Sequence, residues 1–240
     1  GDVYKRQESG VIQPWREAVR LCQKFGVPYH CDSTQLPGKE RLDDLSLCTY
    51  SVYSAHKFGG PKGLGWLVGE GASSLLVGGE QEKGRRGGTE NYPAIKSAHR
   101  AWESMVQAPL DISGLSRMRD DFEDQMEQQI PGIRIIGKNS PRLWNTSLMI
   151  MPEFENLQWV GKLDKLGFQV STGSACSSTK TGGSPIAQAL ALSLPETQRL
   201  IRISSFQDHT HSEWKGLRDA FAKAHLSLQK ESLGSSVISH

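Results

Sequence analysis

Lys57 closes the stretch Ser54-Ala55-His56-Lys57, and the chain then reverses through Phe58-Gly59-Gly60-Pro61-Lys62-Gly63. A primary amine set between an apolar run and a glycine-rich turn can condense with an aldehyde, provided neighbouring groups hold that aldehyde in place. Upstream, Asp32-Ser33-Thr34-Gln35 offers a carboxylate and an amide in one short turn. Taken singly, these residues have plainer readings. Lys57 could be a solvated charge, Asp32 a strand-end turn former and His56 a packed ring, while Lys62 competes with Lys57 but sits between proline and glycine, where a lysine decorates a turn.

Together they form a set with one chemistry in common. Pyridoxal phosphate (PLP) needs an amine for its aldehyde, a carboxylate to keep its ring nitrogen protonated, and several donors for its phosphate. On that reading Lys57 forms the Schiff base, Asp32 pairs with the pyridinium, Gln35 bonds the phenolate oxygen, and Ser54 and His56 hold the phosphate. Far downstream, Val170 to Lys180 is a small, polar run presenting Cys176 without apolar neighbours. Free cysteines prefer cores, so this setting fits an acting thiol as well as an ordinary loop residue.

Elements must bring these groups to one place. Leu47 to Tyr53 reads as a buried strand leading to Lys57, and Val27 to Asp32 as a short strand ending on the acid. Pro14 to Phe25 carries helical spacing and stops at Gly26. The alternation predicts a sheet with covered faces whose carboxyl edge gathers both turns. Leu64 to Val68 reads as a further strand, Gly78 to Asn91 as a long glycine-rich charged loop, and Pro93 to Val106 as a helix. The pattern changes near Ala108-Pro109, which divides the chain into residues 1–108 and 109–240. The second part reads as α+β, with helices at about 113–129, 156–166, 185–192 and 212–229 and strands at 133–137, 146–151, 168–171 and 200–205. Residues 231–240 are polar and are expected to fray.

Composition sets bounds. The chain has 240 residues, 28 basic and 26 acidic, with a net charge of +2 and no basic block, which gives nucleic-acid binding no support. No run is long and apolar enough to span a membrane. Gly1 to Gln7 carries neither an initiator methionine nor an apolar signal region, which predicts neither secretion nor a lipid anchor. Cys22, Cys31, Cys48 and Cys176 show no C-x-x-C pairing, so neither a metal site nor a disulfide framework is expected, and a reducing cytoplasm fits.

The segment His30 to Gln35 followed by Ser54 to Gly63 resembles the cofactor site of cysteine desulfurases, fold-type I PLP enzymes of the class V aminotransferase group. Glu8 to Pro14 and Gly84 to Asn91 match the same family in the same order, and Ser174-Ala175-Cys176-Ser177-Ser178 is similar to the catalytic loop of its NifS/IscS-like members. The resemblance implies an α/β fold, in which residues 1–108 are part of a PLP-binding large domain with a mainly parallel sheet and residues 109–240 form a C-terminal α+β small domain. It implies conversion of L-cysteine to L-alanine, with the sulfur passing to a persulfide on Cys176 and then to an iron–sulfur scaffold or sulfur-carrier protein. It implies a homodimer in which Thr89 reaches the partner's phosphate, and a substrate-carboxylate clamp at Arg202. Two departures stand out: Gln7 replaces the family's asparagine, and Ser205-Phe206-Gln207-Asp208 replaces its glycine-bearing turn. Because the family's chain begins well before Glu8, the match is to the C-terminal portion of such an enzyme. The alternatives are another class V PLP enzyme, a selenocysteine lyase or an aminotransferase, or a non-catalytic truncated fragment.

Overall fold

The computed structural model describes residues 2–3, 8–74, 78–108, 110–173 and 185–237, so Gln7 and Cys176 lie outside the described residues. The chain divides into two compact units, Gly1–Lys5 with Ile12–Leu110 and Arg6–Val11 with Asp111–His240.

The first unit is built on a sheet of β1 (Asp2–Val3), β2 (His30–Asp32), β3 (Tyr50–Ser54) and β4 (Gly65–Gly69), in that spatial order. β1, β2 and β3 run parallel, and β4 returns antiparallel to β3. Before β2 comes α1 (Trp15–Lys24), whose Trp15 and Val19 are one turn apart and both buried. Gly26 ends this helix at positive φ, with Gly26 N–H donating to Gln23 and Val27 N–H to Cys22, the paired bonds of a Schellman cap. Trp15 and Val19 pack with Tyr29, Cys31, Leu36 and Leu45 into the unit's core. The strand expected from Leu47 starts at Tyr50 because Asp43–Leu47 closes into a 3-10 turn, tied to α1 by an Arg16–Asp44 ion pair at 2.5 Å. The long charged loop contains a short turn, α2 (Gln81–Gly84), whose Glu82 and Lys83 take positive φ, and then feeds α3 (Tyr92–Gln107), capped by Asn91 Oδ1 accepting from Ala94 N–H.

The second unit begins with α4 (Ile112–Gln129), capped by Asp111, and continues through β5 (Arg134–Ile135), β6 (Thr146–Ile150), α5 (Asn156–Lys165) and β7 (Ser171–Thr172). It ends with α6 (Pro185–Ala189), α7 (Leu194–Thr197), β8 (Leu200–Ser204) and α8 (His211–Val237). Its strands lie in the order β5-β6-β8-β7, every pair antiparallel. Alternation along β8 splits the two faces: Ile201 and Ile203 join Phe122, Trp159, Leu163 and Phe221 beneath the helices, while Leu200 joins Ile136, Leu148 and Ile150 on the other side. β6 is buried along its whole length.

Two expectations need correction here. The helix expected over 185–192 is interrupted: α6 stops at Ala189, and a Ser193–Glu196 capping box starts α7. The last residues do not fray from Glu231. α8 continues to Val237, with Leu228 buried and Glu231 paired to Lys162 of α5 where composition alone predicts loose chain.

Candidate active site

Parallel pairing decides which side chains share an edge. Asp32 pairs with Val52, so the carboxyl ends of β2 and β3 lie side by side and their following turns leave the sheet together. Ser33 N–H donates to Val52 O at 3.0 Å, fastening the first turn to the second strand. One Asp32 carboxylate oxygen accepts from Thr34 N–H at 3.1 Å, which shapes the turn that also carries the half-buried Gln35.

At the end of β3, Ala55–Lys57 forms one 3-10 turn with Ala55 fully buried. The Ala55 carbonyl accepts from both Phe58 N–H and Gly60 N–H. A Cβ on Gly60 would stand 2.9 Å from that of Ala55, so this glycine is bare because the turn closes on itself, a closer demand than ligand approach. Phe58 stacks on Trp66 of β4 at 5.6 Å and meets Trp102 of α3 edge-on at 5.6 Å. The residue after Lys57 is thereby anchored by an aromatic cluster, which limits where the amine can go.

Ser54 Oγ and His56 Nδ1 share a hydrogen bond at 2.9 Å; Ser54 is half-buried and His56 exposed, so this hydroxyl–imidazole pair is within reach of an anion. Carboxylate, amide, amine, hydroxyl and imidazole therefore sit on two adjacent turns of one sheet edge. This donor set fits PLP, with Asp32 for a cationic ring nitrogen, Gln35 for a phenolate, Lys57 for the aldehyde and Ser54–His56 for the phosphate.

Of the other residues singled out from the sequence, Thr89 is exposed in the loop before α3. Arg202 belongs to the second unit, opposite Leu148 on β6, on the sheet face away from the helices. Its Nε is buried and makes no hydrogen bond among the described residues. Ser171 of β7 is its neighbour on the other side, and the chain beyond Thr172 leads to Cys176, which is outside the described residues.

Sequence reasoning passed over Lys39. Its ammonium donates to the Lys57 carbonyl at 3.0 Å and to the Pro37 carbonyl at 3.4 Å. Burial, and then the charge of Lys57, push its pKa down to about 8. Nothing local marks Lys39, since its partner is 18 positions away and is a backbone atom.

A family model described as Aminotransferase class-V matches residues 4–215. The chain belongs to that family. The cysteine desulfurase IscS of Dictyoglomus turgidum is 32% identical over 208 residues, an alignment covering 84% of this chain and 52% of that protein. Among solved structures, a NifS-like protein from Rickettsia africae matches with a TM-score of 0.77 at 25% identity, over 93% of this chain and 60% of that one. SspA in complex with cysteine matches with a TM-score of 0.68 at 25% identity, over 87% of this chain and 58% of the other. The architecture is the α/β fold of NifS-like, fold-type I enzymes, as the resemblance implied. This chain spans about half the length of the curated relatives it matches. No helix among the described residues is long and apolar enough to cross a membrane.

Proposed function

We propose that this class V chain is part of a PLP-dependent cysteine desulfurase, converting L-cysteine to L-alanine with Cys176 receiving the sulfur as a persulfide. The observation that carries this reading is the parallel register of β2 and β3, which puts the Asp32 turn and the Lys57 turn on one sheet edge. Cysteine desulfurases among the relatives and a cysteine complex among the structural neighbours support the substrate.

Bound at this edge, PLP would draw electrons from the substrate's α-carbon. Asp32 would keep the ring nitrogen cationic, Gln35 would bond the phenolate oxygen, and Ser54 and His56 would bind the phosphate. Lys57 would hold the cofactor's aldehyde, and its amine would be the base that takes and returns the substrate's α-proton. Arg202 receives the substrate carboxylate, for which a guanidinium fork is suited; its buried Nε, lacking a bond among the described residues, supports that role. The Cys176 thiolate attacks the substrate's sulfur: an S–S bond forms, the C–S bond breaks, and the electron pair stays with the carbon that, once protonated, is alanine's methyl group. Sulfur is oxidised and carbon reduced within the same step, so no outside oxidant is required.

Residues 1–108 then serve as part of a PLP-binding large domain and 109–240 as the small domain bearing the persulfide cysteine. Thr89, exposed ahead of α3, is the residue offered to a second copy's phosphate in a homodimer. Cysteines left as thiols, such as Cys22 and Cys48, suit a cytoplasmic protein that hands sulfur to an iron–sulfur scaffold or carrier protein.

The test is an assay of alanine and sulfide from L-cysteine, coupled to borohydride reduction and peptide mapping. The expected result is alanine formation with the pyridoxyl group on Lys57, and a Cys176→Ala protein that keeps bound cofactor but releases no sulfur. A label on Lys62, or full desulfuration by Cys176→Ala, would overturn it. Transamination of a keto acid without sulfur release would assign the chain to a different class V activity.

A further inference from the structure

We propose that Lys39 is a positioning residue for Lys57, clamping the amine-bearing turn to the turn that carries Asp32 and Gln35. This rests on the functional reading above. The linkage can be followed atom by atom. Leu36 N–H donates to Ser33 O at 3.0 Å, and Lys39 N–H to Leu36 O at 2.8 Å, so the segment after Asp32 folds back on itself through two consecutive turns. Gly38, at positive φ, allows the second of these. The Lys39 side chain then spans from Pro37 O to Lys57 O.

At the other end of the clamp, both N–H groups that close the 3-10 turn, those of Phe58 and Gly60, are taken by the Ala55 carbonyl. The Lys57 carbonyl is bound instead by Lys39, from the neighbouring turn. The backbone that bears the reactive amine is therefore held at its nitrogen side by β3, at Phe58 by the Trp66–Trp102 cluster, and at its carbonyl by Lys39. Only the third of these ties it to the turn facing the opposite end of the cofactor. A charge-assisted bond is suited to this, being stronger and shorter than a neutral one.

Keeping a second ammonium close to Lys57 is electrostatically unfavourable, and the pKa of Lys39 is depressed first by burial and then by this like charge. A lysine retained there despite burial and a like charge fits a group whose hydrogen bonds are needed. A solvated lysine at the surface would turn outward and avoid both penalties.

The experiment compares wild type, Lys39→Met, which keeps length and loses the donor, and Lys39→Arg, which keeps a cationic donor. Three quantities are read: affinity for PLP, the fraction of pyridoxyl label on Lys57 after borohydride reduction, and the induced circular dichroism per bound cofactor at saturation. Lys39→Met is expected to bind PLP about tenfold more weakly and to show about half the induced signal per bound cofactor, with Lys39→Arg recovering most of both. The far-ultraviolet spectrum and thermal midpoint report any loss of fold separately. A purely structural lysine would lower the midpoint and leave the saturated signal unchanged, which overturns the proposal; so does a Lys39→Met protein equal to wild type in all three quantities. Failure of wild type itself to take the label on Lys57 would overturn the functional reading instead.

Discussion

A single side chain becomes chemically useful here through what surrounds its backbone. The turn bearing Lys57 was legible because it is spelled in consecutive residues, Ser54 to Gly63, and the position of Asp32 because it ends a strand pattern. Lys39 was not, because its bond to the Lys57 carbonyl exists only once two turns are folded side by side. Glu196 shows the limit in part, since Ser193 is three residues away but Arg134 is 62. Bonds from the Ser193 hydroxyl and backbone N–H, then the pairing with Arg134 of β5, hold its carboxyl down at about 2. Its folded-state pKa lies below the ordinary value of 4.5, so its contribution is complete above pH 4.5 and is lost as the pH falls toward about 2. Glu196→Gln should therefore flatten the acid limb of the stability curve in that window, read as the urea midpoint against pH. An acid limb identical to wild type would show that the cap and the Arg134 contact contribute nothing.

Between elements, the hardest feature to foresee lies beneath α4. Glu123 is fully buried and accepts both guanidinium nitrogens of Arg142, at 2.8 and 2.7 Å, and the Ser147 hydroxyl at 2.6 Å. Arg119 of the same helix donates to the Leu143 carbonyl at 2.7 Å. These contacts bind α4 to the segment entering β6, yet in sequence Glu123 is one charge among many on an amphipathic helix. Helical periodicity reports which face is apolar; it carries no signal for a charge that is buried with a partner 19 residues on. Among the described residues, removing Glu123 leaves the buried Arg142 guanidinium only a longer ion pair, to Asp120 at 3.6 Å, so Glu123→Ala should cost about 3–5 kcal/mol. Chemical denaturation measures this, and a loss below about 1 kcal/mol, the range of exposed pairs, would contradict the buried bidentate geometry. By contrast, β6 and β8 were readable from their apolar runs, and α1 from its proline and glycine ends. The strand expected over 168–171 appears as the shifted β7, and the break between α6 and α7 was not readable, since two to five residues hold too little pattern to outvote neighbouring turns.

In the molecule as a whole, Asp32, Gln35, Ser54, His56 and Lys57 belong to the first unit and Arg202 and Cys176 to the second. The proposed cofactor site rests on the register and turn geometry of the first unit's sheet edge. The proposed sulfur chemistry rests on the cysteine desulfurases among the relatives and on the polar setting of Cys176 in the sequence. One measurement joins the two. The PLP-loaded protein is given L-cysteine, its thiols and persulfides are trapped by alkylation, and the cysteine peptides are mapped by mass. The account predicts one extra sulfur on the Cys176 peptide, in amounts matching the alanine formed in the first turnover. Alanine released with the extra sulfur on Cys22, Cys31 or Cys48, or with no persulfide on any cysteine, would contradict it.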